Sequence, residues 1–280
     1  MDYTASRDAL FRPELSPTLF KPGLELTPTQ LAVEACRLAY YKTETGAAEL
    51  KRLADAWRDA GFAEVQPFHS GAFVDAQGFG AFRSVDGLAV IAFRGTEPDK
   101  LADLGTDANI VPIAAPGIPG NVHAGFFRAF DALRPQVDEW LHALGARVKT
   151  RVVCGHSLGA AMATIAAHVL RPDLLVTLGC PRTGDAQFVN ALPCRFLRVV
   201  DCADLVPELP PALFGYTHPA PCLYIDRDGR QYDTPSADFI GDDQARGRIE
   251  YLKTFAWRHG TLALRDLADH APSNYARAFF

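Results

Sequence analysis

The 280 residues contain no Lys/Arg run, no CxxC pair, no fixed-period repeat and no apolar leader, and each absence removes a class of function. A general nucleic-acid binder needs a basic face. Here 28 Lys+Arg stand against 33 Asp+Glu, a formal charge of −5, so no nucleic-acid partner is expected. Without internal self-similarity, solenoids and propellers are excluded. The six cysteines show no metal-ligand spacing. Cys194 and Cys202 flank a strand-like stretch that, if extended, holds them ~26 Å apart. A disulfide reaches only ~7 Å between Cα atoms, so those two cannot pair. A reducing compartment is expected. The opening MDYTASRDALFRPELSP has early acidic residues and no h-region, which predicts a protein that is cytoplasmic or exported without a cleavable signal peptide. Residues 152–170 lack a formal charge over about the length of a membrane span. Gly155, Ser157 and Gly159 break the stretch early, so it reads as strand, turn and buried helix, with no transmembrane segment.

What is present fits a folded enzyme-sized unit. Apolar residues make up 48% and charged residues 22%, ordinary values for a globular chain able to bury a substantial core. The region 1–27, with Pro13, Pro17 and Pro22, reads as an extended arm. Thr27 and Pro28 are an N-cap and first-turn proline, opening a helix over 28–41, and a second helix covers 47–60 and stops at Gly61. Strand signals follow at 62–68, 79–85 and 88–94, then a long irregular segment over 95–122. A helix over 125–144 should kink or split at Pro135. Strands are expected at 151–155, 174–179 and 196–200, with helices over 158–170 and near 185–191. Strands that alternate with helices, and stay apolar without period-two alternation, indicate an α/β fold with a mostly parallel sheet covered on both faces. No linker divides the chain, so residues 1–280 read as a single domain.

Gly155-His156-Ser157-Leu158-Gly159 follows an apolar strand and precedes a helix, the context that G-x-S-x-G requires. The chemistry needs a turn so tight that side chains at both flanks would collide. Glycine removes those Cβ atoms, and the serine is held strained with its Oγ presented for attack. The helix behind it aims N–H groups at developing negative charge.

Further segments stand in a fixed order around this turn: IAFRGT (91–96), NVHAGFFRAF (121–130), GCPRTGD (179–185), DCADLVPELPPALFGYTH (201–218) and DHAPSNY (269–275). Together with CGHSLGA (154–160) they resemble the class 3 lipases, a family that includes fungal secreted enzymes and bacterial relatives, and the chain is similar to a bacterial-type member. The resemblance implies the α/β-hydrolase fold, with a mostly parallel central sheet flanked by helices on both faces. It implies a catalytic triad of Ser157, Asp204 and His270 and an oxyanion hole from the N–H groups of Thr96 and Leu158. Asp201 competes for the aspartate role and His259 for the histidine role. His123, Gly125 and His218 fall on scaffold positions, His156 should turn its ring away from Oγ, and Arg94 should brace its loop through an ion pair.

The implied activity is a serine carboxylic-ester hydrolase of lipase type, acting on acylglycerol or similar fatty-acyl esters through an acyl-enzyme. Alternatives on the same triad are a phospholipase A1 or an acyltransferase, and the alternative from another class is a non-catalytic binding protein on a hydrolase fold. Neither cofactor nor metal is expected. The expected partners are a lipid or ester substrate and a transient lipid-surface contact. Apolar loops at 110–113 and 205–214 are candidates to line an acyl pocket. Residues 97–120 occupy the place of the lid and its adjoining loop. Within 97–108 stand Glu97, Asp99, Asp103 and Asp107 with only Leu101 and Leu104 as large apolar residues. Closure would therefore bury little apolar area, and weak interfacial activation is expected.

Overall fold

Ser6 accepts a hydrogen bond from the Asp8 N–H and opens a short helix, α1 (Arg7–Phe11), followed by a 3₁₀ turn at Pro13–Leu15. This corrects the expectation of a wholly extended arm. Ala9 and Leu10 bury against Tyr251, Leu262, Ala268 and Ala271, and that burial favours a local helix over an extended strip. The computed structural model describes residues 1–71, 74–95 and 111–280. Thr27 and Gln30 form a reciprocal capping box ahead of α2 (Pro28–Leu38), with Pro28 in the first turn. The next helix, α3 (Ala47–Asp59), ends before Gly61 at φ 82°.

An eight-stranded sheet follows. Its first strands, β1 (Glu64–His69), β2 (Gln77–Arg83) and β3 (Leu88–Phe93), pair antiparallel. Part of the segment expected to be irregular forms a separate ribbon of β4 (Pro112–Ala114) and β5 (Asn121–His123). The sheet continues in parallel from β3 through β6 (Thr150–His156), β7 (Leu174–Leu178), β8 (Arg195–Asp201) and β9 (Leu223–Ile225), and closes on antiparallel β10 (Gln231–Asp233). The helices of the second half are α4 (Ala124–Leu144), α5 (Leu158–Leu170), α6 (Ala186–Asn190), α7 (Ala237–Thr254), α8 (Arg265–Ala268) and α9 (Pro272–Ala276).

The continuous apolar runs are explained by burial on both faces. Val90, Ala92, Val152, Cys154, Val176 and Leu178 pack with α2, Trp57 and Tyr275, whereas Ile91, Phe93, Val153 and Leu175 pack with α4 and α5. Alternate residues of each strand thus enter different cores. Pro135 does not split α4, which runs unbroken as Ala124–Leu144. Its buried face, Phe126, Ala129, Phe130, Leu133 and Val137, is anchored on both sides of the proline and outweighs the lost backbone bond. All six cysteines are free. Among the described residues, no helix is long and apolar enough to cross a membrane.

Parallel pairing brings one end of β3, β6, β7 and β8 into line, with Phe93 opposite Gly155 and His156 opposite Leu178. The turns that leave those strands carry Gly95, Ser157, Gly179 and Asp204. Sites in open α/β sheets form at such carboxyl ends.

Candidate active site

At the end of β6 the backbone turns through Ser157 at φ 59° and ψ −128°, a region that is costly for any residue with a Cβ. Such strain amounts to about 1–3 kcal/mol and persists only where the surroundings enforce it. The Ser157 N–H donates to the Leu178 carbonyl at 3.0 Å, and α5 begins at the next residue. A Cβ at Gly155 would land on the Gly159 carbonyl, and one at Gly159 would land on the Phe93 carbonyl. Only two glycines let the helix pass this close to β6 and β3. Leu158 is the first helical residue, so its N–H has no acceptor within α5 and points forward from the helix.

His270 lies on the turn between α8 and α9. Its Nε2 is 3.0 Å from Ser157 Oγ, and its Nδ1 is 3.0 and 2.9 Å from the two Asp204 oxygens. A carboxylate only accepts, so Nδ1 carries the proton and Nε2 offers its lone pair to the serine hydroxyl. Asp204 is held on both oxygens: Oδ1 accepts from the Val206 N–H at 2.8 Å, and Oδ2 accepts from the Tyr275 hydroxyl at 2.5 Å. Gly179, at φ 55°, makes room beneath, since a Cβ there would stand 2.7 Å from Asp204 Oδ2 and 3.1 Å from His270 Nδ1. Ser157, Asp204 and His270 are all buried.

The structure thus brings Ser157, His270 and Asp204 into one line, and does not bring Asp201 or His259 into it. Asp201 is buried, with Oδ1 3.4 Å from the Arg277 guanidinium. Burial, with Asp269 beside it, raises its carboxyl well above the usual range. His259 is exposed on the turn after α7.

The remaining expected residues are engaged as supports. His156 Nε2 donates to the His270 carbonyl at 2.9 Å, which leaves Nδ1 to accept from the Tyr40 hydroxyl at 2.7 Å. Both ring nitrogens are therefore taken up away from Oγ, and burial with His270 nearby holds the imidazole well below its ordinary range. Arg94 is paired with Glu44 at 2.7 Å. His123 caps α4 through the Gly125 N–H at 3.1 Å and stacks on Phe126 with centroids 4.0 Å apart. His218 meets the Pro207 carbonyl at 2.7 Å, and burial together with Arg198 pushes it down to about 3.

Thr96, the 97–108 segment and Ile110 lie outside the described residues. In the described part of the two candidate acyl loops, Val111, Leu205, Leu213 and Phe214 are exposed, while Val206 and Pro207 are buried. Sequence reasoning missed Tyr40, Gly179 and Tyr275. Tyr275 closes the DHAPSNY segment and Gly179 opens GCPRTGD, so both were within reach, whereas nothing local marks Tyr40. Among the described residues, no group of three His, Cys, Asp or Glu side chains is arranged to hold a metal ion.

Residues 90–214 match the family described as lipase (class 3). A secreted mono- and diacylglycerol lipase of Fusarium solani is 40% identical over 114 residues, covering 38% of this chain and 34% of that one. A lipase of Rhizomucor miehei is 33% identical over 148 residues, covering 46% of this chain and 39% of that one. The chain therefore spans less than half the length of these curated relatives. Among solved structures, the lipase from Rhizopus microsporus var. chinensis superposes with a TM-score of 0.62 at 25% identity, over 79% of this chain and 84% of that one. The fold is the expected α/β-hydrolase fold. These relatives are fungal, so the bacterial-type placement finds no support among them.

Proposed function

We propose that this chain belongs to the class 3 lipases and is a serine carboxylic-ester hydrolase, cleaving acylglycerols or similar fatty-acyl esters through an acyl-enzyme. The observation that carries the reading is the line from Asp204 through His270 to Ser157 on a strained turn at a helix N-terminus. In the first step His270 Nε2 takes the Ser157 proton as Oγ attacks the acyl carbonyl, and Asp204 steadies the imidazolium. The Leu158 N–H stabilises the oxyanion, with Thr96 as the second donor on the strength of the FRGT segment. His270 then protonates the leaving alcohol, and water, activated by the same nitrogen, releases the fatty acid. The names of mono- and diacylglycerol lipases among the relatives favour acylglycerols as the substrate class. Residues 1–280 are read as one unit, because Ala5 pairs with Leu262 and Phe279 and Phe280 pack on the core that holds α2.

The test is a panel of soluble short-chain esters and emulsified acylglycerols, run beside Ser157→Ala and with an active-site phosphonate. Hydrolysis by the wild type, lost in the variant, together with labelling at Ser157, is expected. Ester hydrolysis that survives in Ser157→Ala at more than about one per cent would overturn the reading. Product analysis on phospholipids and with alcohol acceptors separates a phospholipase A1 or an acyltransferase.

A further inference from the structure

Residues 227–268 carry none of the family's motifs, yet they build a surface with a definite chemistry. Helix α7 turns Asp243, Gly247 and Tyr251, four residues apart, into the protein. Asp243 accepts from the Tyr224 hydroxyl at 2.9 Å and the Arg227 N–H at 3.0 Å, and Gln244 donates to the Cys202 carbonyl at 2.8 Å. These bonds fix α7 against the carboxyl ends of β8 and β9, two residues from Asp204 along the chain. At 100° per residue the opposite face starts with Asp238 and Asp242 and, in its C-terminal half, holds Ala245, Ile249 and Leu252, bordered by Arg246 and Lys253. Ile249 is 52% and Leu252 46% exposed.

The chain after α7 continues this face. Phe255 turns inward onto Tyr251 and Tyr3, with ring centroids 5.4 and 5.9 Å apart. The turn is braced by the Arg258 N–H on the Phe255 carbonyl at 2.9 Å and by the Thr261 hydroxyl on the Phe255 and Arg258 carbonyls, both at 2.7 Å. Trp257 stands at its tip, 89% exposed, whereas Trp57 is fully buried. Within residues 245–264 Arg248 is paired with Asp266 at 2.8 Å, and Arg246, Lys253 and Arg258 stand against Glu250 in a chain whose net charge is −5.

We propose that this face docks the protein onto an anionic lipid surface. Trp257, Leu252 and Ile249 enter the headgroup zone while Arg246, Lys253 and Arg258 meet lipid phosphates. An apolar helical stripe with a basic border and a tryptophan at one end is the pattern of a helix lying in a membrane interface. The local positive charge in an otherwise acidic chain selects an anionic surface over a neutral one. The choice of lipid over a protein partner rests on the ester-hydrolase reading, whose substrate is a lipid, and Gln244 ties this helix to the strand end that leads into Asp204.

The test uses the full chain with vesicles of ether-linked phosphatidylcholine, alone or with about a third ether-linked phosphatidylserine. Flotation and tryptophan fluorescence are read together. The wild type should float with the anionic vesicles, roughly tenfold better than with neutral ones, and its emission should shift to the blue. Lys253→Glu with Arg258→Glu should remove the anionic preference, and Trp257→Ala with Leu252→Ser should lower flotation about tenfold. Hydrolysis of a soluble short-chain ester should stay at the wild-type level in both variants. Absent flotation of the wild type, or equal flotation of all variants, overturns the proposal. So does a dimer that Trp257→Ala disperses, which would assign the face to a second copy of the chain. Flotation by a wild type that hydrolyses no ester supports the docking face while overturning the ester-hydrolase reading.

Discussion

Asp201 and Asp204 stand three residues apart at the end of one strand, both buried, and the structure treats them in opposite ways. Asp204 receives the Val206 N–H, the Tyr275 hydroxyl and His270 Nδ1. Asp201 has one oxygen 3.4 Å from Arg277 and the other, Oδ2, buried without a partner among the described residues. Burial with Asp269 nearby raises the Asp201 carboxyl, whereas Asp204 has a donor on each oxygen. A carboxylate suited to steadying an imidazolium and a carboxyl best kept neutral thus arise from one short stretch. The lesson is that partners, and not burial or position on the strand, decide what a buried acid can do. The histidines differ in burial as well as in partners: His270 is buried between Asp204 and Ser157, whereas His259 is exposed.

The histidine pair gives the largest test of this contrast. His270→Ala should lower kcat by about 10⁶, the scale on which a triad base acts. His259→Ala should leave most of the activity, and a kcat measurement in which His259→Ala is the silent variant would reverse the assignment. Next comes the carboxylate pair. Asp204→Asn should lower kcat about 10⁴-fold while the fold survives, because the amide fails to hold the required tautomer. Asp201→Asn should keep the wild-type order of magnitude. Its effect is on stability: a raised folded-state value means that stability is present at low pH and is lost as pH rises from 3.8 toward the folded value. Thermal melting at pH 7 should therefore find Asp201→Asn at least as stable as the wild type, and a marked loss would show that the carboxyl is needed ionised.

A smaller effect is expected from Tyr275→Phe, which removes one donor to Asp204 and leaves the ring in place. A hydrogen bond to a charged group contributes about 1.5–3 kcal/mol, so kcat should fall by about ten- to 150-fold with KM little changed. An unaltered kcat would show that Val206 and His270 suffice to orient the aspartate. The last effect is on stability alone and concerns His218. Its folded-state value is held near 3 against 6.5 when free, so the unfolded chain takes up the proton first. Stability from this group is complete above 6.5 and is lost as pH falls toward 3, by at most about 1.4 kcal/mol per pH unit. His218→Gln should flatten the fall of the urea midpoint between pH 6.5 and pH 4. A slope equal to that of the wild type would place the acid sensitivity elsewhere, with buried His156 the next candidate.

Much of this was legible in the amino-acid order. The 174–179 and 196–200 expectations overlie β7 and β8, and the 47–60 helix overlies α3, because apolar runs and a stopping glycine act over a few residues. The arm was misread because the burial of Ala9 and Leu10 depends on residues more than 240 positions away. The local cost of Pro135 is visible in the sequence, while the packing on either side that keeps α4 unsplit is not.

The chain by itself determined the elbow. Gly155 and Gly159 flank Ser157 because no other residue lets α5 pass that close to β6 and β3, and steric necessity of this kind can be read from five neighbouring letters. Tertiary structure decided which acid and which histidine stand with the serine, through the 66 residues that separate Asp204 from His270 and the 113 that separate His270 from Ser157. It also decided that Tyr275 and Gly179 shape that meeting, and that Ile249, Leu252 and Trp257 face outward while Tyr251 and Phe255 face in. The physical reason is range: backbone sterics act between neighbours, whereas hydrogen-bond partners and burial depend on which distant segments the closing sheet places side by side.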